Sequence, residues 1–263
     1  FQQAAFDHCQ LDVRYENCET EPLQLEATIR SLRQPSILGA NVTIPYKEKV
    51  MPFLDELDVL AAQIGAVNTI VNRDGKLLGF NTDAPAFIRA LRQDASFECR
   101  GKKAVLLGAG GVARAIGFAL IKEGVEYLAV ANRTQDRAEA LAGSLSGSSA
   151  GATRVVTLPW RGLGQKLDHY DLLVNCTSIG MRHGATEGET PLEADAIVKG
   201  ALICDLVYNP EETPLLREAR KAGALVLGGL AMLIYQGAAS FELWAGREAP
   251  VDIMSGKARG FLG

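Results

Sequence analysis

Three histidines, five cysteines and ten prolines in 263 residues leave several classes of protein without their raw material. The cysteines, at positions 9, 18, 99, 176 and 204, are odd in number, far apart and never in a C-x-x-C pair. Neither a disulfide framework nor a zinc or other metal site follows, and a reducing cytoplasm fits best. His8, His169 and His183 lie in no motif, and none is a candidate general base. Positive charge is also short: 27 Lys and Arg against 31 Asp and Glu give a net charge of -4 and a pI near 5.5. That balance removes the general attraction that drives nucleic-acid binding. A clean membrane-spanning run is missing too. The uncharged stretch from Ala222 to Phe241 is interrupted by Gly223, Gly228, Gly229, Gln236, Gly237 and Ser240, and reads as a buried strand followed by a buried helix. With 48% hydrophobic and 22% charged residues, the composition is that of a folded chain with one or two domains. The sequence holds no internal repeat. It opens with no basic-then-apolar leader, at Phe1 where a native product carries Met, so preceding residues are expected.

Strand-like and helix-like runs alternate: Ile37 to Ile44, Lys47 to Leu60, Ala66 to Asn72. This is the signature of an α/β fold, a mostly parallel sheet covered by helices. Asp74-Gly75 separates the apolar runs Ala66 to Val71 and Leu77 to Phe80 and predicts one antiparallel hairpin. The pattern breaks at Ser96 to Lys103, which places a boundary near residue 100. Beyond it the alternation resumes, with strands near 104–107, 127–131, 172–175, 201–204 and 224–227 and helices at 111–123 and 134–143. Two lobes follow: residues 1–100, with about 230–263 returning, and a doubly wound, Rossmann-type unit over 101–229. Ser144 to Thr153 is expected to be a flexible loop. The helix from about Leu230 to Trp244 is apolar on most faces and is expected to pack between the lobes.

Strand 104–107 runs directly into Gly108-Ala109-Gly110-Gly111-Val112-Ala113 and a helix, the setting that the dinucleotide fingerprint G-x-G-x-x-G/A requires. Gly108 permits the tight turn, Gly110 lets backbone approach a pyrophosphate, and Ala113 lets the helix pack close to the strand. The end of the next strand, where a carboxylate would bind the ribose hydroxyl of NAD, reads Asn132-Arg133-Thr134. With no acid there, Arg133 and Arg137 suit a 2'-phosphate, Thr134 is a natural N-cap, and the expected cofactor is NADP. A third segment, Asn175 to Met181, follows the apolar run 172–174 and is expected to line the nicotinamide half through Thr177, Ser178 and Met181.

In the first lobe Asn41-Val42-Thr43-Ile44-Pro45-Tyr46-Lys47 ends a strand and is expected to open a helix at Lys47. A cation at a helix N-terminus is disfavoured by the dipole, which would ready Lys47 for proton exchange; an ordinary solvated lysine is the competing reading. Phe80-Asn81-Thr82-Asp83 ends another strand, and Asp83 is a natural N-cap, a role that alone would account for it. Gln236 on its apolar helix must hydrogen-bond something if it is buried.

Taken together, NVTIPYK, GAVNT, NTD, GAGGVARA, NRT, NCTSIGM, DLVYNP and MLIYQGAASFELW, in this order across nearly the whole chain, resemble the shikimate dehydrogenase family. The resemblance implies NADPH-dependent reduction of 3-dehydroshikimate to shikimate in aromatic amino-acid biosynthesis, with Lys47 and Asp83 as the catalytic pair. It implies that Thr43 and Asn68 bond substrate hydroxyls, that Asp83 and Gln236 line the substrate, with Asp83 also holding a substrate hydroxyl, and that Tyr208 and Gly229 border nicotinamide and substrate. It also implies a first strand and a Ser-rich, carboxylate-binding turn ahead of the helix that opens near Phe1; neither is in this sequence. The expected partners are a small-molecule substrate and NADP, with no nucleic acid and no membrane, in a monomer or homodimer. A quinate/shikimate enzyme of relaxed specificity and a non-catalytic NADP- or shikimate-binding regulator are the alternatives.

Overall fold

The computed structural model describes residues 1–149, 151–167 and 169–262. By compactness the chain divides into one unit of residues 1–86 with 234–261 and a second of residues 87–233. The division falls inside two helices, while the break in patterning at 96–103 lies between a helix and the strand that follows it.

In the first unit, helices α1 (Gln2–His8) and α2 (Leu25–Ser31) precede strand β1 (Gly39–Asn41), β2 (Glu56–Leu57), helix α3 (Val59–Ile64) and strands β3 (Thr69–Arg73) and β4 (Lys76–Phe80). The four strands form one sheet in the order β1-β3-β4-β2. Its sense corrects the expectation of a mostly parallel sheet: β1 with β3 and β3 with β4 are antiparallel, and only β2 with β4 is parallel. The Asp74-Gly75 turn imposes this, because both residues adopt positive φ (53° and 85°), the conformation of a two-residue hairpin. Leu25, Ile29, Val42, Val50, Val67, Ile70 and Leu77 fill the core beneath it.

The expected helix from Lys47 to Leu60 does not form. The Lys47 carbonyl accepts the amide of Val67 at 2.8 Å instead of one four residues on, Asp55 N–H bonds the Leu77 carbonyl, and Pro52 interrupts the segment. Turns, a single 3-10 turn at Met51–Phe53, β2 and α3 take its place.

Helix α4 (Asp83–Ala95) leads to β5 (Lys103–Leu107), α5 (Gly111–Lys122), β6 (Tyr127–Asn132), α6 (Gln135–Ser148), β7 (Arg154–Pro159), β8 (Leu172–Asn175), β9 (Leu202–Asp205), α7 (Pro214–Lys221) and β10 (Leu225–Gly228). Helices α8 (Gly229–Ala245) and α9 (Val251–Leu262) close the chain. The sheet β10-β9-β8-β5-β6-β7 is parallel in every pairing, and in chain order it is the complete doubly wound arrangement with its switch point between β5 and β8. Its strands read as continuous apolar runs because both faces are covered: Val105, Ala129, Leu173 and Ile203 on one face and Leu106, Val130, Val174 and Cys204 on the other are all buried. Ser144 to Ser148 belong to α6, not to a loop, because buried Leu141, Ala142 and Leu145 carry the packed face of the helix through that stretch; Ala150 lies outside the described residues. Among the described residues no helix is long and apolar enough to cross a membrane.

Candidate active site

The candidate residues fall into two clusters, one in each unit. In the first, the Lys47 ammonium donates to Asp83 Oδ2 at 2.7 Å, with the two side chains 12% and 4% exposed. Lys47 sits in a turn and does not open a helix as expected, and burial beside a carboxylate is what sets it apart from a surface lysine. Asp83 is the first residue of α4 but does not cap it. Asn81 Oδ1 takes the amides of Asp83 and Ala84, which leaves the Asp83 carboxylate available for Lys47 at the helix end that favours negative charge.

Asn68, 2% exposed, organises the pair. Its Nδ2 donates to Asp83 Oδ1 (2.9 Å) and Thr82 Oγ1 (2.8 Å), and its Oδ1 accepts from Thr82 N–H (2.8 Å) and Thr69 Oγ1 (3.1 Å). The amide's hydrogen-bonding capacity is therefore filled within the protein. Gln236 Oε1 approaches the same Nδ2 at 3.4 Å, and one turn along α8 Ser240 meets Thr69 Oγ1 at 2.7 Å and accepts from Asn41 Nδ2 at 3.0 Å. Buried Thr69, Thr82 and Ser240 were not singled out in the sequence; the spacing of Gln236 and Ser240 by four residues on an apolar helix is the signal that marks Ser240. Thr43 is exposed; its carbonyl accepts the Tyr46 amide at 2.9 Å, and its hydroxyl makes no hydrogen bond among the described residues.

In the second unit, Gly108 adopts φ +107, and a Cβ there would lie 3.2 Å from the Cys176 carbonyl group and from Thr177 Cγ2. The loop after β5 is thus pressed against the loop after β8, at the switch point. Around Gly110 the space is open: a Cβ would meet nothing within 4 Å, at the N-terminus of α5 where an anion is favoured. Ala113 is fully buried, and Gly117, absent from the expected set, brings α5 close, since its Cβ would fall 2.6 Å from Leu145 Cδ1. Ala109 and Gly111 complete the turn. Asn132 ends β6 and its side chain donates to the Thr134 carbonyl at 2.9 Å. Thr134 occupies the N-cap position of α6, yet its hydroxyl caps nothing. Arg133 and Arg137 are exposed and unpaired among the described residues, and no carboxylate ends β6. These residues fit a dinucleotide with a 2'-phosphate: an open glycine cradle at a helix N-terminus and two planar cations where an acid would repel it.

Thr177 donates to Asn175 Oδ1 through both its amide (3.0 Å) and its hydroxyl (2.6 Å), while Ser178 and Met181 follow in the same loop. Tyr208 is 38% exposed after β9. Gly229, at the start of α8, is required sterically, because a Cβ would lie 2.4 Å from the Leu206 carbonyl oxygen.

A complete doubly wound unit with a dinucleotide cradle, joined in one chain to a unit holding a lysine–aspartate pair, defines a dinucleotide-dependent oxidoreductase. The comparisons narrow the class. Residues 1–70 match the family model of the shikimate dehydrogenase substrate binding domain, 90–187 that of shikimate / quinate 5-dehydrogenase, and 229–258 that of the shikimate 5'-dehydrogenase C-terminal domain. The chain belongs to the shikimate dehydrogenase family. A shikimate dehydrogenase (NADP(+)) of Moorella thermoacetica is 48% identical over 245 residues, 93% of this chain and 82% of the relative. The structure of shikimate 5-dehydrogenase from Thermus thermophilus in complex with NADP(H) and shikimate matches with a TM-score of 0.84 at 36% identity, covering 98% of this chain and 92% of that one. Quinate dehydrogenase from Corynebacterium glutamicum in complex with NAD matches at 0.89 and 31% identity, with the same coverage.

Proposed function

We propose that the protein catalyses the reversible NADPH-dependent reduction of 3-dehydroshikimate to shikimate, a step of aromatic amino-acid biosynthesis. The observation that carries the reading is the buried Lys47–Asp83 pair, held by Asn68, in a chain whose relatives are shikimate dehydrogenases. NADPH, when bound, supplies the hydride. Reduction places the carbonyl electron pair on oxygen, and Lys47 stabilises that charge and passes an Nζ proton to it, giving the alcohol; oxidation runs the same transfer backwards. Asp83 orients the ammonium. Thr43, Gln236 and Tyr208 face the substrate in this reading, and Asn68 reaches a substrate hydroxyl only by giving up one of its internal bonds. Gly108 to Ala113, Asn132, Arg133, Thr134, Arg137, Thr177, Ser178, Met181 and Gly229 hold the cofactor. The first unit is the substrate domain and the second the NADP domain, in a cytoplasmic monomer or homodimer.

A quinate-oxidising activity is the second reading, favoured by the likeness to the Corynebacterium enzyme; the arginines at the end of β6 argue against its NAD form. A pure sensor has no use for a proton-transfer pair. K47A is expected to lower turnover by roughly 100- to 10,000-fold, the usual range for a general acid, with NADP affinity nearly unchanged. Equal turnover in the variant would remove the proposed role.

A further inference from the structure

Asp205, at the carboxyl end of β9, is fully buried, as are its neighbours Asn175 and Thr213, and among the described residues no cation pairs with it. A buried charge without a counter-ion is expensive, and only neutral donors hold this one. Thr213 Oγ1 donates to Oδ2 at 2.6 Å; Asn175 Nδ2 and the Val207 amide donate to Oδ1 at 2.9 and 3.1 Å. Burial pushes the Asp205 carboxyl up to about 6.

An ionised carboxylate only accepts, and this fixes the direction of every bond beyond it. It compels Asn175 to turn its NH2 toward Asp205 and its Oδ1 toward Thr177, which gives Oδ1 both its amide and its hydroxyl proton. Having donated, the Thr177 oxygen accepts the Ile179 amide at 3.2 Å. On the other side the same carboxylate anchors Val207, next to Tyr208, and the Thr213 hydroxyl that caps α7. One buried group thus sets the backbone of two segments, 175–179, which the proposed function puts on the cofactor, and 207–208, which it puts beside the substrate.

We infer that Asp205 is a positioning residue for hydride transfer, which orients the loops after β8 and β9 through Asn175 and Val207 without touching cofactor or substrate. The inference rests on the proposed function for the role of those loops. Steady-state kinetics and amide hydrogen exchange on D205A and D205N test it, with D205S in place of D205A if the latter does not fold, since the single, one-atom-shorter serine oxygen cannot stand in for both carboxylate oxygens. In D205A, kcat is expected to fall on the order of 100-fold, as for misplaced reacting groups, with shikimate KM within about twofold and faster exchange at Thr177, Ile179 and Val207. D205N keeps an Oδ1 for Asn175 and Val207 and is expected to recover most of the loss. Unchanged kcat with unchanged exchange would overturn the inference, as would a loss that D205N does not rescue or that falls equally on kcat and shikimate KM. A wild-type protein inactive on shikimate would sink the proposed function, and the exchange data would still decide whether Asp205 orders the two segments.

Discussion

At the scale of residues, the candidate chemistry depends on which polar groups are left over after the fold has been satisfied. Asp83 is available to Lys47 because Asn81 does the capping, and the Asn68 amide is spent on orienting them. Arg133 and Arg137 are spent on nothing within the described residues, which is the condition for binding an external anion. The double variant R133A/R137A is therefore expected to weaken NADP binding by about tenfold or more, in line with charge-assisted hydrogen bonds, and to leave NAD binding unchanged. Parallel titrations with the two cofactors measure this; an equal loss for both would mean that the arginines support the fold and not the phosphate. Residues in motifs at strand ends were legible in the sequence because their setting constrains them. Thr69, Thr82, Ser240 and Asp205 lie within the same motifs, yet their roles were not legible, because a buried polar side chain is recognised by its partners, and those come from positions up to 171 residues away.

At the scale of elements, steric demands and one buried charge decide local stability. A Cβ at Gly39 would lie 2.0 Å from the Ile70 carbonyl oxygen, which also accepts the Trp244 indole N–H at 2.9 Å. G39A is expected to cost about 1–3 kcal/mol, the usual range for overpacking, read from chemical denaturation; an unaltered midpoint would show that β1 can move aside. Asp205 gives a pH dependence. Its folded value, about 6, stands above the ordinary 3.8, so the folded chain binds the proton more readily than the unfolded one. Its contribution to stability is fully present below about 3.8 and is lost as pH rises through about 6. The melting temperature of D205N, which lacks this titration, should rise relative to wild type between pH 4 and pH 7; a constant difference would contradict the assigned value. The doubly wound sheet was readable because parallel strands are uninterrupted apolar runs, as Ala104 to Leu107 and Leu172 to Val174 are. The segment after Lys47 was misread because its apolar spacing mimics a helix, whereas long-range pairing with Val67 and Leu77 claims its backbone.

At the scale of the whole molecule, a doubly wound unit with an open glycine cradle and a unit with a buried lysine–aspartate pair stand in one chain of the shikimate dehydrogenase family, which is the setting of the proposed oxidation and reduction of an alcohol. The division of the chain into two units follows from the two separate sheets, and α4 and α8 are the helices in which the division falls. The most direct test is reduction of NADP by the purified protein on addition of shikimate, with NAD in place of NADP and quinate in place of shikimate run alongside. The account predicts turnover that is selective for both NADP and shikimate. Tight NADP binding with no turnover of either acid would contradict it and leave a ligand-binding regulator as the function of this fold.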